Sequence, residues 1–304
     1  MTRNEKNEEI QKEIIHEENK EKTKKIIKII IKITLFIVTI SFLFFSYTTY
    51  ISTKKIGVRE YRINNNKIPE SFNGLKIIQF SDIHFGTTMF NEDINKLVKI
   101  INIRKPDLVV FTGDLLSKTY NLKSDDQEQL IKELKNISAT LGKYAILGDE
   151  DNEKIATIFN QSDFTILRDE YDLIYKDNKT PILLIGLSSL LNGKQDVEKA
   201  YSYFREETHN SNIYTITIAH EPDSVDEISP YQTDLFLAGH SHNGNIRIPF
   251  INQSIIKIKG SKKYDQDYYK LDNTDIYITS GLGTKKGIRL FCRPSINFYR
   301  LSQN

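Results

Sequence analysis

The first 52 residues divide into a charged segment and an apolar one. Residues 1–25 are dense in Glu, Lys and Asn, which predicts a solvated tail with no more than transient helix. Residues 33–51 carry no charge, and the apolar stretch begins at Ile26 with only two lysines interrupting it. A helix that crosses the hydrocarbon core of a bilayer needs about 20 such residues. Residues 26–52 are therefore predicted to be a transmembrane anchor, with the lipid bilayer as their partner.

Two other interpretations of residues 26–52 are weaker. A buried core helix does not ordinarily follow a charged tail, and a cleaved signal peptide needs small residues after its apolar stretch, whereas the first alanine is Ala139. Lysines cluster before the span and only two follow it closely, although two arginines further on reduce the difference. The positive-inside bias predicts a single-pass protein of the cell membrane, with residues 1–25 in the cytoplasm and everything after about residue 52 outside.

After the apolar segment, short apolar runs alternate with segments of helical period. Residues 53–73 are polar with scattered apolar positions, which indicates a linker with or without an edge strand. Residues 94–101 and 130–137 repeat apolar side chains at helical spacing. Three strands are predicted beside them, at Leu75–Phe80, Asp107–Thr112 and Tyr144–Leu147. Such alternation, with apolar strand centres, predicts an α/β domain over residues 74–304 whose sheet is buried on both faces.

The second half of this domain has more strands and fewer helices. One helix is predicted at residues 195–207, with Val197, Ala200, Tyr201 and Phe204 on its buried face. The predicted strands are Pro181–Leu187, Ile213–Ala219, Asp234–Ala238, Ile246–Ile248, Ile276–Thr279, Ile288–Cys292 and Ile296–Leu301.

Seven side chains able to bind metal follow the ends of five predicted strands. They are Asp82, His84, Asp114, Asp149, His220, His240 and His242. Chemistry in such sheets collects beyond the carboxyl ends of the strands, so these side chains are expected at one edge. Mixed carboxylate and imidazole ligands in this number suit two adjacent divalent ions, and imidazole favours Mn, Fe or Zn over Ca. Two such ions clamp a phosphoryl group and activate a bridging water.

Composition sets limits on the function. The 304 residues are 39% apolar and 27% charged, which suits a domain with a substantial core. A formal net charge of +2 gives no reason to expect a nucleic-acid partner. Cys292 is the single cysteine, so no intramolecular disulfide forms, and its apolar surroundings predict a buried thiol.

Six short motifs resemble those of the calcineurin-like metallophosphoesterases. Phe80-Ser-Asp-Ile-His-Phe is similar to their D-x-H motif, Phe111-Thr-Gly-Asp-Leu-Leu to their G-D motif, Ala219-His-Glu-Pro-Asp to their isolated histidine and Ala238-Gly-His-Ser-His-Asn-Gly to their closing G-H-x-H. Thr279-Ser-Gly-Leu-Gly-Thr and Phe291-Cys-Arg-Pro-Ser-Ile look like the C-terminal pattern of the bacterial membrane-associated branch. The resemblance covers roughly residues 74–302 and implies a four-layer α-β-β-α sandwich.

The resemblance also implies how the ligands are shared between two ions. One ion would be held by Asp82, His84, Asp114 and His242. The other would be held by Asp114 as a bridging carboxylate, with Asp149, His220 and His240.

One motif departs from the family pattern. Gly148-Asp-Glu-Asp stands where the family has G-N-H-D or G-N-H-E, so Asp149 replaces an asparagine and Glu150 a histidine. The resemblance implies that this histidine contacts the phosphate or protonates the leaving group. Glu150 replaces it as a catalytic acid only if its pKa is raised toward neutrality. Three interpretations stay open: an active enzyme with Glu150 as acid, an active enzyme whose leaving group needs no acid, and an impaired enzyme.

The expected function is hydrolysis of a phosphomonoester, phosphodiester or pyrophosphate bond at the outer membrane face. The anchor suggests a phosphorylated substrate derived from lipid or the cell envelope. The alternative is a metal-loaded but catalytically impaired protein that binds a phosphorylated ligand or partner. A protein phosphatase is less favoured, because nothing in the sequence marks the helical extensions of that branch.

Overall fold

The computed structural model describes residues 3–177, 180–205, 212–247, 258–285 and 287–303, without the side chains of residues 5, 8 and 9. The chain divides into two compact units, residues 1–48 and 49–304. The described residues of the first unit form a helix whose side chains are mostly exposed. The second unit contains the sheets and their buried cores.

The first unit is a single helix, α1 (Arg3–Ser46), followed by a π-helical turn at Tyr47–Ile51. The helix includes the charged residues expected as a solvated tail, where ion pairs one turn apart, such as Lys20–Glu17 and Lys24–Glu21, support helical geometry. The stretch Ile10–Ile51 is long and apolar enough to cross a membrane, and its most apolar part is wholly exposed. This helix is therefore a candidate membrane span, which agrees with the predicted anchor.

The described residues of the second unit form twelve strands. They are β1 (Gly57–Asn64), β2 (Lys76–Phe80), β3 (Leu108–Thr112), β4 (Lys143–Ile146), β5 (Thr165–Ile166), β6 (Glu170–Ile174), β7 (Ile182–Gly186), β8 (Thr215–Ala219), β9 (Leu235–Ala238), β10 (Tyr268–Leu271), β11 (Thr274–Ile278) and β12 (Ser295–Ser302). One sheet has the order β1-β12-β2-β3-β4-β5 and the other β10-β11-β9-β8-β7-β6. Both are mixed, with parallel centres at β2-β3-β4 and β7-β8-β9.

Helices cover the outer faces of the two sheets. They are α2 (Asn91–Ile103), α3 (Ser124–Lys135), α4 (Glu153–Gln161) and the short α5 (Val197–Ala200). In α2, the apolar side chains of Ile94, Leu97, Val98 and Ile101 recur at helical spacing and are buried, and Asp93 caps the first turn by accepting from the Phe90 N–H at 3.2 Å.

Three apolar cores separate four layers. The first lies between α2, α3, α4 and one sheet, the second between the two sheets, and the third on the outer face of the other sheet beside α5. Ile78 and Phe111 face the first core, whereas their neighbours Ile77 and Val110 face the second, as the alternation of a strand requires. The predicted four-layer α-β-β-α sandwich is confirmed.

Strand β1 lies in residues 53–73, the segment expected as a linker with or without an edge strand. It is an edge strand that pairs in parallel with β12, and Ile68 and Phe72 from the same segment fill the core between the sheets. Other elements differ from their predicted form. The helix predicted at 195–207 is broken into α5 and a 3₁₀ turn at Ser202–Arg205, with residues 206 and 207 outside the described residues. Tyr201 sits at the break because its hydroxyl bonds to Thr217 and Thr233 at the sheet.

Two predicted strands near the C-terminus were wrong. Residues 246–247 and 288–292 are joined by an isolated bridge, Ile246 to Leu290, and do not form strands. Residue 248 lies outside the described residues. The backbone of Leu290 exchanges hydrogen bonds with Asn245 and Arg247 at 2.9 Å each, and the Arg289 side chain of this loop turns inward to the carbonyls of Gly281 and Gly283.

Candidate metal centre

Polar contacts join the two sheets at the edge where their parallel strands end. Gln79, at the end of β2, donates to the Thr112 hydroxyl at 3.2 Å and to the Ala238 carbonyl of β9 at 2.9 Å. The hydroxyl of Tyr299 donates to the Gln79 side-chain oxygen at 2.7 Å. All of these groups are buried, so the contacts hold the carboxyl ends of β2, β3 and β9 close together.

Asp82, His84 and His242 form one group of side chains at this edge. His84 Nε2 lies 3.0 Å from His242 Nε2, and Asp82 Oδ1 lies 3.5 Å from the latter. None of the three residues is more than 1% exposed. We refer to these three residues as the closed group.

Asp149, His220 and His240 form a second group together with Asp114. Asp149 Oδ1 lies 3.2 Å from both His220 Nε2 and His240 Nδ1, and the Asp149 side chain is 21% exposed. We refer to these three as the open group. Asp114 Oδ2 lies 3.4 Å from His220 and 3.7 Å from His84, so this carboxylate lies between the two groups. The structure thus brings together all seven side chains that the sequence singled out.

The tautomers of the open-group histidines suit a cation. His220 Nδ1 lies 2.7 Å from the Thr112 carbonyl and His240 Nε2 lies 2.8 Å from the Lys259 carbonyl. Because a carbonyl only accepts, each of these ring nitrogens carries the hydrogen. In neutral rings, His220 Nε2 and His240 Nδ1 then face each other 3.1 Å apart as two acceptors. Such an arrangement of lone pairs is stabilised by a positive ion between them.

Buried atoms without partners point to the same conclusion. Within the described part of the chain, Asp114 Oδ2 has no hydrogen-bond partner although it is fully buried. A buried carboxylate oxygen without a donor is costly, and metal coordination is one way to satisfy it. The donor set of carboxylates and imidazoles therefore fits divalent Mn, Fe or Zn.

Five of the seven residues hold a left-handed backbone conformation. Asp82, His84, Asp114, His240 and His242 have φ values of 51°, 43°, 63°, 61° and 46°. This region is uncommon for residues other than glycine, and aspartate, asparagine and histidine adopt it most often. The turns that follow the strands thus use residue types that tolerate this conformation, which is found repeatedly at functional sites.

Buried ionisable groups at the site shift one another's pKa values. Burial alone would raise the pKa of Asp114, but His220 and His84 hold it below its usual range. Hydrogen bonds to His220 and His240 likewise outweigh burial and lower the pKa of Asp149. Burial opposes the charged form of His220, yet Asp114 raises its pKa, whereas burial and the neighbouring His84 lower the pKa of His242.

Residues 75–244 match the family model of the calcineurin-like phosphoesterases. The chain belongs to this family. Among relatives, it is 31% identical to the metallophosphoesterase YkuE of Bacillus subtilis, over 84% of this chain and 89% of that protein. It is 24% identical to the phosphodiesterase YaeI of Escherichia coli, over 74% and 82%. It is 26% identical to the UDP-2,3-diacylglucosamine pyrophosphatase LpxG of Chlamydia trachomatis, over 78% and 87%.

Asp151 fixes the position of the motif Gly148-Asp-Glu-Asp, which departs from the metallophosphoesterase pattern. Its carboxylate accepts from the backbone N–H of Asp114 at 2.8 Å, of Leu115 at 2.9 Å and of Gly148 at 2.9 Å. A side chain at Gly148 would overlap the Asp114 carboxylate, so this position requires glycine. Burial and the nearby Asp114 raise the pKa of Asp151 to about 6 against these donors. Gly148 and Asp151 thus pin the segment on either side of Asp149 and Glu150.

Glu150 reaches back to the first motif. Its carboxylate lies 3.4 Å from His84 Nδ1, on the side of that ring away from His242, and accepts from the Lys118 N–H at 3.3 Å. A carboxylate behind a metal-binding imidazole fixes the orientation of the ring. Burial would raise the pKa of Glu150, but His84 and Lys285 lower it. This direction favours a carboxylate rather than the neutral acid that proton donation requires.

Lys285 is a site residue that sequence reasoning missed. Its ammonium lies 3.0 Å from Glu150 Oε1, 3.5 Å from Asp114 Oδ2 and 3.8 Å from Asp149 Oδ2. Partial burial would lower the pKa of Lys285, but these carboxylates raise it. The signal available in the sequence was its position directly after the Thr279–Thr284 motif.

Arg289 and Cys292 support the metallophosphoesterase site from behind. The Arg289 guanidinium is fully buried and donates to the carbonyls of Gly281 at 3.1 Å and Gly283. Gly283 packs against the Ile83 carbonyl too closely for any side chain, which places this loop directly on the Asp82–His84 turn. The Cys292 thiol donates to the His242 carbonyl at 3.2 Å, and burial raises its pKa. The prediction of a buried thiol is confirmed.

Proposed function

We propose that this protein is a membrane-anchored metallophosphoesterase that hydrolyses a phosphoester or pyrophosphate bond with two divalent ions. Asp82, His84, Asp114 and His242 hold one ion, and Asp114, Asp149, His220 and His240 hold the other. The observation that carries the proposal is the buried Asp114 oxygen that lies between two groups of ligands and accepts no hydrogen bond within the described residues.

Two bound divalent ions of the Mn, Fe or Zn kind would polarise the phosphoryl oxygens and lower the pKa of a bound water. The chain itself orients the ligands: Thr112 and Lys259 fix which nitrogen of His220 and His240 faces the site. Asp149 and Glu150 lie at the more exposed side, with side chains 21% and 12% exposed, where a substrate enters.

The bond is a phosphomonoester, a phosphodiester or a pyrophosphate. Support for the last two comes from the relatives, of which YaeI is a phosphodiesterase and LpxG a pyrophosphatase of a diacylated sugar nucleotide. Glu150 is held as a carboxylate by His84 and Lys285, which favours a substrate whose leaving group needs no proton from the enzyme.

The substrate is a phosphorylated amphiphile derived from lipid or the cell envelope. Two observations support this class: the candidate membrane span within Ile10–Ile51, and the similarity to LpxG, a pyrophosphatase of a diacylated sugar nucleotide.

A second candidate function is supported by the departure at positions 149 and 150. Asp149 and Glu150 add negative charge beside the position of an anionic substrate, and a carboxylate at 150 that stays ionised repels it. This observation favours a metal-loaded protein that binds a phosphorylated ligand or partner and turns it over poorly.

The test uses the full chain in detergent micelles, supplied in turn with Mn, Fe and Zn. Hydrolysis is measured on an aryl phosphomonoester, an aryl phosphodiester and a diacylated lipid pyrophosphate, and bound metal is counted by atomic emission. We expect two ions per chain and metal-dependent turnover that Asp114→Asn abolishes. Two bound ions with no turnover above Asp114→Asn would support the binding protein instead.

The proposed orientation has its own test. We propose that residues 1–25 lie in the cytoplasm and residues 53–304 outside the cell membrane, because the lysines cluster before the span. Protease added to intact cells is expected to degrade the C-terminal unit. Protection there, with degradation only after lysis, would reverse the orientation.

A further inference from the structure

Lys285 lies where an anion entering the site would meet it. Its side chain is 35% exposed, whereas Asp149 is 21% and Glu150 12% exposed, and the other ligand side chains are nearly or fully buried. Exposure therefore increases from Asp114 outward past Asp149 and Glu150 to Lys285. A substrate that approaches the ligands from solvent passes the Lys285 ammonium.

The charges around Lys285 make a cation necessary for anion binding. Asp149 and Glu150 bring two carboxylates to positions where the family pattern has an amide and an imidazole. Four carboxylates, counting Asp82 and Asp114, would balance the charge of two divalent ions and leave none to attract a phosphate. Among the ion pairs of the described residues, Lys285 is the lysine or arginine that contacts Asp114, Asp149 and Glu150.

The structure holds Lys285 in place from two directions. Its closest partner is Glu150 at 3.0 Å, and Glu150 is itself fixed by the Lys118 N–H and faces His84. On the other side, the preceding residue, Thr284, donates its N–H to the Thr88 hydroxyl at 3.2 Å. A lysine that is already oriented loses less rotamer entropy when it binds a ligand.

We propose that Lys285 binds a phosphate oxygen of the substrate and that Glu150 positions it. Glu150 and Lys285 together then take the place of the histidine that the family motif has at position 150, with the positive charge supplied from the loop after β11. This assignment rests on the proposed function, because it assumes that the ligand of the metal centre is a phosphate.

The test measures the affinity of inorganic phosphate for the manganese-loaded full chain in micelles, by isothermal titration. The variants are Lys285→Met, Lys285→Arg and, as a matched control, Lys199→Met, which removes an exposed lysine paired with Glu170 at 2.8 Å. Loss of a charge-assisted hydrogen bond predicts roughly 10–100-fold weaker phosphate binding in Lys285→Met. Lys285→Arg should retain most of the affinity, and Lys199→Met should equal the wild type.

Bound manganese, counted in each variant, separates anion binding from metal binding. Lys285→Met should keep its metal, because the substitution removes a positive charge from beside the ligands. Phosphate affinity unchanged in Lys285→Met, or no phosphate binding by the wild type, would overturn the assignment. So would loss of manganese in parallel with phosphate. Phosphate binding that depends on Lys285 without any turnover would support it and refute only the proposed hydrolysis.

A second substitution tests the role given to Glu150. Glu150→Gln removes a negative charge near the phosphate, and in wild type it also replaces the ion pair with Lys285 by a weaker neutral hydrogen bond. In the Lys285→Met background, Glu150→Gln only relieves the repulsion between the carboxylate and the phosphate, because there is no lysine left to position. Glu150→Gln should therefore raise phosphate affinity more in that background than in wild type. Equal effects in both backgrounds would show that the two residues act independently and would overturn the positioning role.

Discussion

The closed group and the open group use similar ligands in different surroundings. Asp82, His84 and His242 are buried, and so are His220 and His240 of the open group, whereas Asp149 of the open group is 21% exposed and lies beside Lys285. Both departures from the family motifs, Asp149 and Glu150, lie on this open side beside Lys285, and Glu150 also contacts His84 of the closed group.

The difference shows where this site tolerates new charge. An extra carboxylate in the closed group would lose its hydration and have no described cation to pair with, which is costly. On the open side, Asp149 and Glu150 keep contact with water and with Lys285, so the cost is smaller. Substrate-dependent variation is therefore expected on the open side rather than in the closed group.

The largest effect is expected from Asp82→Ala in the closed group. Asp82 also accepts from the His240 N–H at 3.0 Å and from the Ser81 hydroxyl at 2.6 Å, so its loss disturbs both groups. Turnover should fall by more than the about 10–100-fold that loss of an outer partner of a metal ligand costs. Steady-state hydrolysis and metal content measure it. A variant that keeps two ions and a tenth of the activity would contradict the distinction between the groups.

An intermediate effect is expected from Arg289→Met behind the closed group. The carbonyls of Gly281 and Gly283 lose their buried donor, which should lower the free energy of unfolding by about 1–3 kcal/mol. Turnover should fall by roughly 10–100-fold because the loop no longer supports the Asp82–His84 turn. Thermal unfolding followed by circular dichroism and steady-state rates provide the measurements.

Arg168→Met is the matched control for Arg289→Met. Arg168 pairs with Glu153 at 2.6 Å on the surface, and exposed pairs contribute about 0–1 kcal/mol. If both substitutions lower stability equally, the buried guanidinium of Arg289 has no special role.

The smallest effect is expected from Asp149→Asn in the open group. The amide oxygen occupies the same place without the charge, so metal affinity should fall by about tenfold while the rate at saturating metal stays within about threefold. Metal titration of activity distinguishes the two quantities. A rate loss at saturating metal as large as that of Asp82→Ala would mean that the open group is as demanding as the closed one.

Part of the meeting of the seven ligands was predictable, because carboxyl ends of neighbouring parallel strands share one edge of a sheet. The packing of the two sheets, which only the structure shows, then brings the two edges together. Asp82, Asp114 and Asp149 follow β2, β3 and β4, and His220 and His240 follow β8 and β9. The apolar run of the candidate membrane span was equally evident in the sequence. Helical period and strand alternation are local properties, so a single sequence contains them.

The sequence alone determined the alternation of strands and helices and the side chains that follow the strand ends, and the family resemblance implied the four layers. Only the tertiary structure decided that the strands divide into two sheets with β1 paired to β12, that a predicted helix breaks at Tyr201, and that Lys285 reaches Glu150. These outcomes depend on contacts between residues far apart in the chain. Loops such as the one carrying Lys285 and Arg289 have no period of their own, so their side chains are oriented only by what they pack against.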